Sequence, residues 1–155
     1  MLKNAAKFVG GGAVIVGVGI GALFFIDYIR YQKNPEYRAI KEIEKIKKEI
    51  AEDPYGGDTP EETLRLFIDA LKKGDTDLAA KYFIYDEQEQ WREDLAKIKD
   101  KGLLDEMVRD LEREKFKYTI SEKVIGFDIA NEQKEAILSI SVVRAQSNKW
   151  KIQDL

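Results

Sequence analysis

Asp128 is the one acidic residue inside an otherwise apolar run, VIGFDIA over Val124–Ala130. A carboxylate buried in such company rises toward the pKa of a general base. Alternation with period two sets Asp128 out of phase with Ile125, Phe127 and Ile129, so the spacing predicts that it faces away from the core. Tyr82, Tyr85, Trp91 and Tyr118 are the candidate lining of an apolar ligand pocket, although aromatics at such spacings also fill cores. Five carboxylates crowd the segment DEQEQWRED from Asp86 to Asp94. They lack the glycine-punctuated spacing of a calcium loop and read as the acidic start of a solvated helix.

The residues that are missing narrow the chemistry further. The 155-residue chain has no His and no Cys. Zinc and iron sites of the usual ligands, thiolate nucleophiles, disulfides and a Ser-His-Asp triad all fall away. The sequence therefore names no catalytic residue, no metal ligand and no cofactor. Lys and Arg number 26 against 29 Asp and Glu, a net charge of -3, which argues against nucleic acid as a partner. The charge is unevenly spread: the first 54 residues carry 9 basic and 7 acidic groups, and the remainder 17 and 22. A basic leading segment and an acidic head is the resulting expectation.

Phe8 to Ile26 reads FVGGGAVIVGVGIGALFFI, 19 residues without a charged or polar side chain. As a helix this run spans roughly 28 Å, close to the hydrocarbon thickness of a bilayer. Lys3 and Lys7 precede it, Asp27 and Arg30 close it, and Tyr28 and Tyr31 stand where an aromatic belt would lie. A signal peptide has a shorter apolar region and a small-residue cleavage site, whereas FFIDYIRYQ follows here, so an uncleaved anchor over residues 1–33 is the expectation. Gly17, Gly19 and Ala22 have the spacing of a dinucleotide-binding turn, but a charged helical pattern follows in place of the second strand that turn requires. Ala13, Gly17 and Gly21 recur every four residues, a stripe on which two membrane helices could pack, giving self-association or a membrane-complex partner besides the lipid bilayer itself.

Asn34-Pro35 opens a new helix, with Asn34 as cap and Pro35 at the first position. Residues 34–53 are a charged stalk. Ala39, Ile43, Ile46 and Ile50 make a narrow seam, and Arg38, Lys41, Lys45 and Lys48 fall opposite. Such a seam serves either a short coiled coil or a spacer helix packed on its own domain. Residues 54–58, PYGGD, are a linker. The head, 59–155, starts with a capping box, Thr59-Pro60-Glu61-Glu62. Leu64, Phe67, Ile68 and Leu71 give one apolar helix face ended by Gly74. Asp75 or Thr76 caps a short second helix. Phe83-Ile84-Tyr85 reads as a brief strand. Two further helices carry Trp91, Leu95 and Ile98, then Leu104, Met107, Val108 and Leu111. From Phe116 the period becomes two: Phe116/Tyr118/Ile120, Ile125/Phe127/Ile129, Leu138/Ile140/Val142 and Trp150/Ile152 predict four half-buried strands in an antiparallel meander. Helices first and strands second make the head α+β.

The phrase TPEETLRLFIDALKKGDTDLAAKYF, a helical middle and a closing strand NKWKIQDL resemble the nuclear transport factor two-like superfamily over about residues 59–155, above all its small bacterial domains behind an N-terminal anchor. The resemblance implies a cone-shaped, cystatin-like head in which a curved sheet wraps helices around a mouth able to hold a small ligand. Members include dehydratases and isomerases, which set an Asp with a His or Tyr in the cone, and many non-catalytic binding modules.

Three functions follow as expectations: a membrane-anchored, non-catalytic binding or scaffolding module; a small-molecule lyase or isomerase; an accessory subunit of a membrane complex. Basic residues tie within about 15 positions on either side of the apolar run, while Lys41, Lys45, Lys47 and Lys48 farther on favour a cytoplasmic head, so positive charge alone does not settle the orientation. A basic start before an apolar run has the form of a signal anchor, which places the head outside the cytoplasm. Protease added to the outer side of the sealed membrane is expected to digest the head; a head protected until the membrane is lysed would reverse the assignment.

Overall fold

The computed structural model describes residues 34–131 and 133–155. The expected anchor, with Ala13, Gly17 and Gly21, lies outside the described residues, among which no helix is long and apolar enough to cross a membrane. The chain groups into two compact units that divide between Lys47 and Lys48. Helix α1, Pro35–Glu52, crosses that division and has no buried residue. Asn34 caps it, its side-chain oxygen accepting from the Glu36 N–H at 2.9 Å.

The unit from Lys48 onward is α+β: helices packed against a four-stranded antiparallel sheet. Helix α2 spans Pro60–Lys72, α3 Thr76–Ala80, α4 Gln88–Asp100 and α5 Leu104–Glu112, with one 3-10 turn at Tyr85–Glu87. The strands are β1 Lys115–Ser121, β2 Val124–Ala130, β3 Ala136–Arg144 and β4 Trp150–Asp154, in spatial order β1-β2-β3-β4. The caps follow from the residues expected. The Thr59 hydroxyl accepts from the Glu62 N–H as a capping box requires, whereas the Glu62 carboxylate reaches one residue past the cap and accepts from the Asp58 N–H. Asp75 caps α3 by accepting from the Leu78 N–H, and Gly74 takes the positive φ that ends α2.

Leu64, Phe67 and Leu71 of α2, Leu95 of α4 and Leu111 of α5 meet Phe127 and Ile129, Ile140 and Val142, and Ile152 of the sheet. Phe83 is fully buried at the centre, edge-on to Phe67 with centroids 5.4 Å apart and stacked on Trp91 at 4.3 Å. Each such aromatic contact adds about 0.5–1.5 kcal/mol beyond the burial itself.

Two strands depart from expectation. The brief strand read at Phe83-Ile84-Tyr85 is shorter. The Ile152 N–H reaches the Tyr82 carbonyl and the Ile84 N–H the Ile152 carbonyl, a parallel bridge along β4, after which Tyr85 turns into the 3-10 helix. In β1 the apolar residues point the other way. Phe116, Tyr118 and Ile120 are 46%, 42% and 55% exposed, while Lys115 and Lys117 share a face with Ile129 and Phe127. The register explains this. Phe127 and Ile129 must face the helices, and their cross-strand partners are Lys117 and Lys115; a slip of one residue would turn every side chain over. Lys117 meets Glu61 of α2 at 2.5 Å, so this end of the helical layer offers β1 a carboxylate rather than core. Outward, Tyr118 lies over Gly126, where a Cβ would come within 2.3 Å of the ring.

β4 is held by groups far away in sequence. Lys151, 2% exposed, donates to Asp53 Oδ2 at 2.7 Å and to the Lys81 carbonyl at 2.6 Å. Asp53 also accepts from the Tyr55 N–H at 2.9 Å. One residue back, the Trp150 N–H reaches the Gly57 carbonyl, and its carbonyl accepts from the buried Thr63 hydroxyl at 2.9 Å. That hydroxyl accepts from the Gly57 N–H at 3.0 Å. The fit leaves no room at the two glycines: a Cβ on Gly56, at φ +111°, would stand 2.4 Å from the Trp150 carbonyl, and one on Gly57 2.6 Å from the Thr63 nitrogen.

Burial lowers the Lys151 pKa below the ordinary 10.5, and the hydrogen bond and charge of Asp53 oppose it. Between the lowered folded value and 10.5 the unfolded chain binds more protons, so this lysine makes stability rise with pH in that window. The stability of wild type relative to Lys151→Met is expected to climb as pH approaches 10.5 in urea titrations. Asp53→Ala strands a buried ammonium and should cost about 3–5 kcal/mol at pH 7, with the double variant Asp53→Ala/Lys151→Met recovering most of it. A double variant no more stable than Asp53→Ala would show that the charge is not what Asp53 serves.

Candidate functional site

A concave feature of the head forms where two apolar stripes are wider than the core they cover. In α4, Leu95 is fully buried, and Trp91 and Ile98, one turn to either side, are only partly covered. In α5, Val108 and Leu111 are buried while Leu104 and Met107 are half-covered. Gly102 takes φ +70° between the helices, and the Leu103 N–H reaches back to the Ile98 carbonyl at 3.1 Å. The chain thus reverses with Leu103 on the rim. Leu138 on the helix-facing side of β3 and Leu155 after β4 complete the lining.

The result is an open cleft of about 470 Å³ lined by Trp91, Ile98, Leu103, Met107, Leu138 and Leu155, with Glu106 and Asp110 as its only charged lining residues. The two acids are one turn apart on α5, and Asp110 accepts from Arg113 at 2.9 Å. Such a surface favours an apolar body and disfavours an anion. A second cleft of about 370 Å³, between α2 and the first two strands, is charged, and its charges neutralise one another: Lys72 pairs with Glu112 and Arg65 with Asp69. Burial lowers the pKa of Lys115 there, with Glu112 opposing.

Comparison with family models, with curated proteins and with solved structures finds no match to this chain.

The four aromatic residues expected to line a pocket are not brought together. Trp91 lines the apolar cleft. Tyr82 is 7% exposed within the core, where burial raises its pKa. Tyr85 lies on a different surface and donates to Glu49 Oε2 at 3.0 Å. Tyr118 is on the outer face of β1, its hydroxyl 3.3 Å from Asp128 Oδ1. The reason is positional: Tyr82 and Tyr85 flank the short bridge to β4, so successive side chains diverge, and the β1 register turns Tyr118 outward.

Asp128 takes the outer face as its phase requires. It accepts from Ser139 at 2.7 Å and from Tyr118, opposite Phe116 and away from both clefts. Among the described residues, the buried polar side chains are Thr63 and Lys151, and no group of His, Cys, Asp or Glu is arranged to hold a metal ion. The carboxylates of the DEQEQWRED segment start the 3-10 turn and α4, and Glu89 pairs with Arg92.

The cleft residues other than Trp91 carried no signal separating them from core. Ile98 and Met107 sit on the same helical faces as Leu95 and Leu111, and only the depth of each stripe in the fold divides core from cleft. Replacing Asp128 by Asn should shift stability by no more than about 1 kcal/mol in urea denaturation, the size of one exposed hydrogen-bonding network. A loss of several times that would make this outer triad structural.

Proposed function

We propose that the chain is a membrane-anchored, non-catalytic binding module whose head takes a ligand with an apolar body in the cleft between α4, α5 and the end of the sheet. The observation that carries the reading is the cleft itself: six apolar side chains around about 470 Å³, with acids confined to Glu106 and Asp110. Ligand sites are commonly apolar hollows with a few polar groups that set orientation. The element order and the FIDALKKGDTDLAAKYF and WKI phrases favour a cone-shaped head of the nuclear transport factor two-like kind, with this cleft as its mouth. The apolar run 8–26 is read as its anchor, with the head outside the cytoplasm. The lyase or isomerase reading would need a buried acid facing the cleft, and Asp128, the candidate, faces outward.

The acidic residues select among apolar ligands. In a Trp150→Phe background, Trp91 is the sole tryptophan and reports on the cleft. n-Hexylamine is expected to change its fluorescence saturably, and hexanoate to do so severalfold more weakly. Leu138→Trp fills the cleft in the otherwise unaltered chain and should abolish hexylamine binding measured by calorimetry. No saturable response to either probe would refute the assignment.

A further inference from the structure

We propose that helix α1 associates with α1 of a second copy of this chain as a parallel, in-register two-stranded coiled coil along Ala39, Ile43 and Ile46. No residue of this 18-residue helix is buried. An isolated helix of that length is marginal in water and gains its stability from packing an apolar face. Ile43, at the middle of the seam, is 52% exposed and Ile40 beside it 55%. Counting heptads with Ile43 at a places Ala39 and Ile46 at d, Glu36 at the preceding a and Ile50 at the following a. Ile46 and Ile50 are half-buried, and the d-a-d step from Ala39 to Ile46 has the spacing of knobs-into-holes packing.

The charges choose the partner and its direction. In this register Glu42 is at g and Lys47 at the following e, the two positions that flank the seam. Parallel strands bring g of one helix to the next e of its partner, so Glu42 meets Lys47 twice across the twofold axis. Antiparallel strands would set g against g and e against e, placing like charges together. Elsewhere on the helix, Lys41 pairs with Glu44 at 3.2 Å and Lys48 with Glu52 at 3.9 Å, both along the outer positions. Glu42 and Lys47 make no ion pair among the described residues, so both are left for a partner helix. A second copy supplies the complementary charge at each place in the same register, which is why it is the occupant argued for. The proposal does not depend on the apolar cleft.

The chain has no native Cys, so single cysteines report proximity without background. In the full chain in mild detergent, Ile43→Cys and Ile46→Cys should oxidise to disulfide-linked dimers, and Lys41→Cys and Lys48→Cys should not. Equal cross-linking at all four positions, or none at 43 and 46, would overturn the proposal. In the Ile43→Cys background, Glu42→Lys or Lys47→Glu alone should lower the cross-linked fraction by about threefold or more, because two exposed pairs turn repulsive together. Exchanging both charges should restore it. Failure of the exchange to restore cross-linking, with unchanged head fluorescence, would also overturn it.

Discussion

The buried Lys151–Asp53 pair holds together three stretches of chain that otherwise share little. Asp53 leads out of α1, Lys81 ends the α3 region, and Lys151 is the second residue of the last strand. An ammonium that is 2% exposed is tolerable only with its partners in place. Asp53 therefore cannot leave β4 without stranding a charge, and the segment after α3 cannot leave β4 without taking away the ammonium's second acceptor. The neighbouring contacts use this fixed geometry. Trp150 exchanges hydrogen bonds with Gly57 and Thr63, and Phe83 rises beside Ile152 into the core, where it stacks on Trp91. The wall of the apolar cleft thus rests on an ion pair that takes no part in lining it.

Much of the head's architecture was legible because local chemistry and global packing agree there. Thr59, Glu62, Gly74 and Asp75 announce their helix ends, and the period change at Phe116 announces the sheet. The failures have a common cause. β1 reads as half-buried because Phe116, Tyr118 and Ile120 alternate cleanly, yet which face of an edge strand meets the helices is decided by the strand beside it. Phe127 and Ile129 fix that choice, and the β1 alternation is correct in period and opposite in sense. Lys151 reads as a solvated partner of Trp150 and Ile152, because nothing local reveals that Asp53, 98 positions away, arrives over it.

The candidate site was less legible than the fold. Trp91 was the one member of the aromatic set that reached the cleft, and the rest of the lining comes from residues indistinguishable from core in one dimension. Whether an apolar helical position is covered depends on how far the neighbouring element extends, and that is a property of the assembled layers. The acids of α5 show the same limit. Glu106 and Asp110 look like ordinary solvated charges until the turn at Gly102 sets them beside Trp91 and Ile98.

The two edges of the sheet have unequal fates. β4 is closed by Gly57 and by the bridge at Phe83, whereas β1 ends the sheet and turns an apolar row toward solvent. An edge of this kind is a template on which further copies could polymerise strand by strand. Lys115 and Lys117 stand in the way. A second β1 docking antiparallel about position 117 would set lysine against lysine, and one docking about position 116 would oppose Lys115 with Lys117. Either register would crowd like charges at the moment water is squeezed out. Two side chains that add nothing to the core thereby weigh against strand-by-strand pairing at this edge.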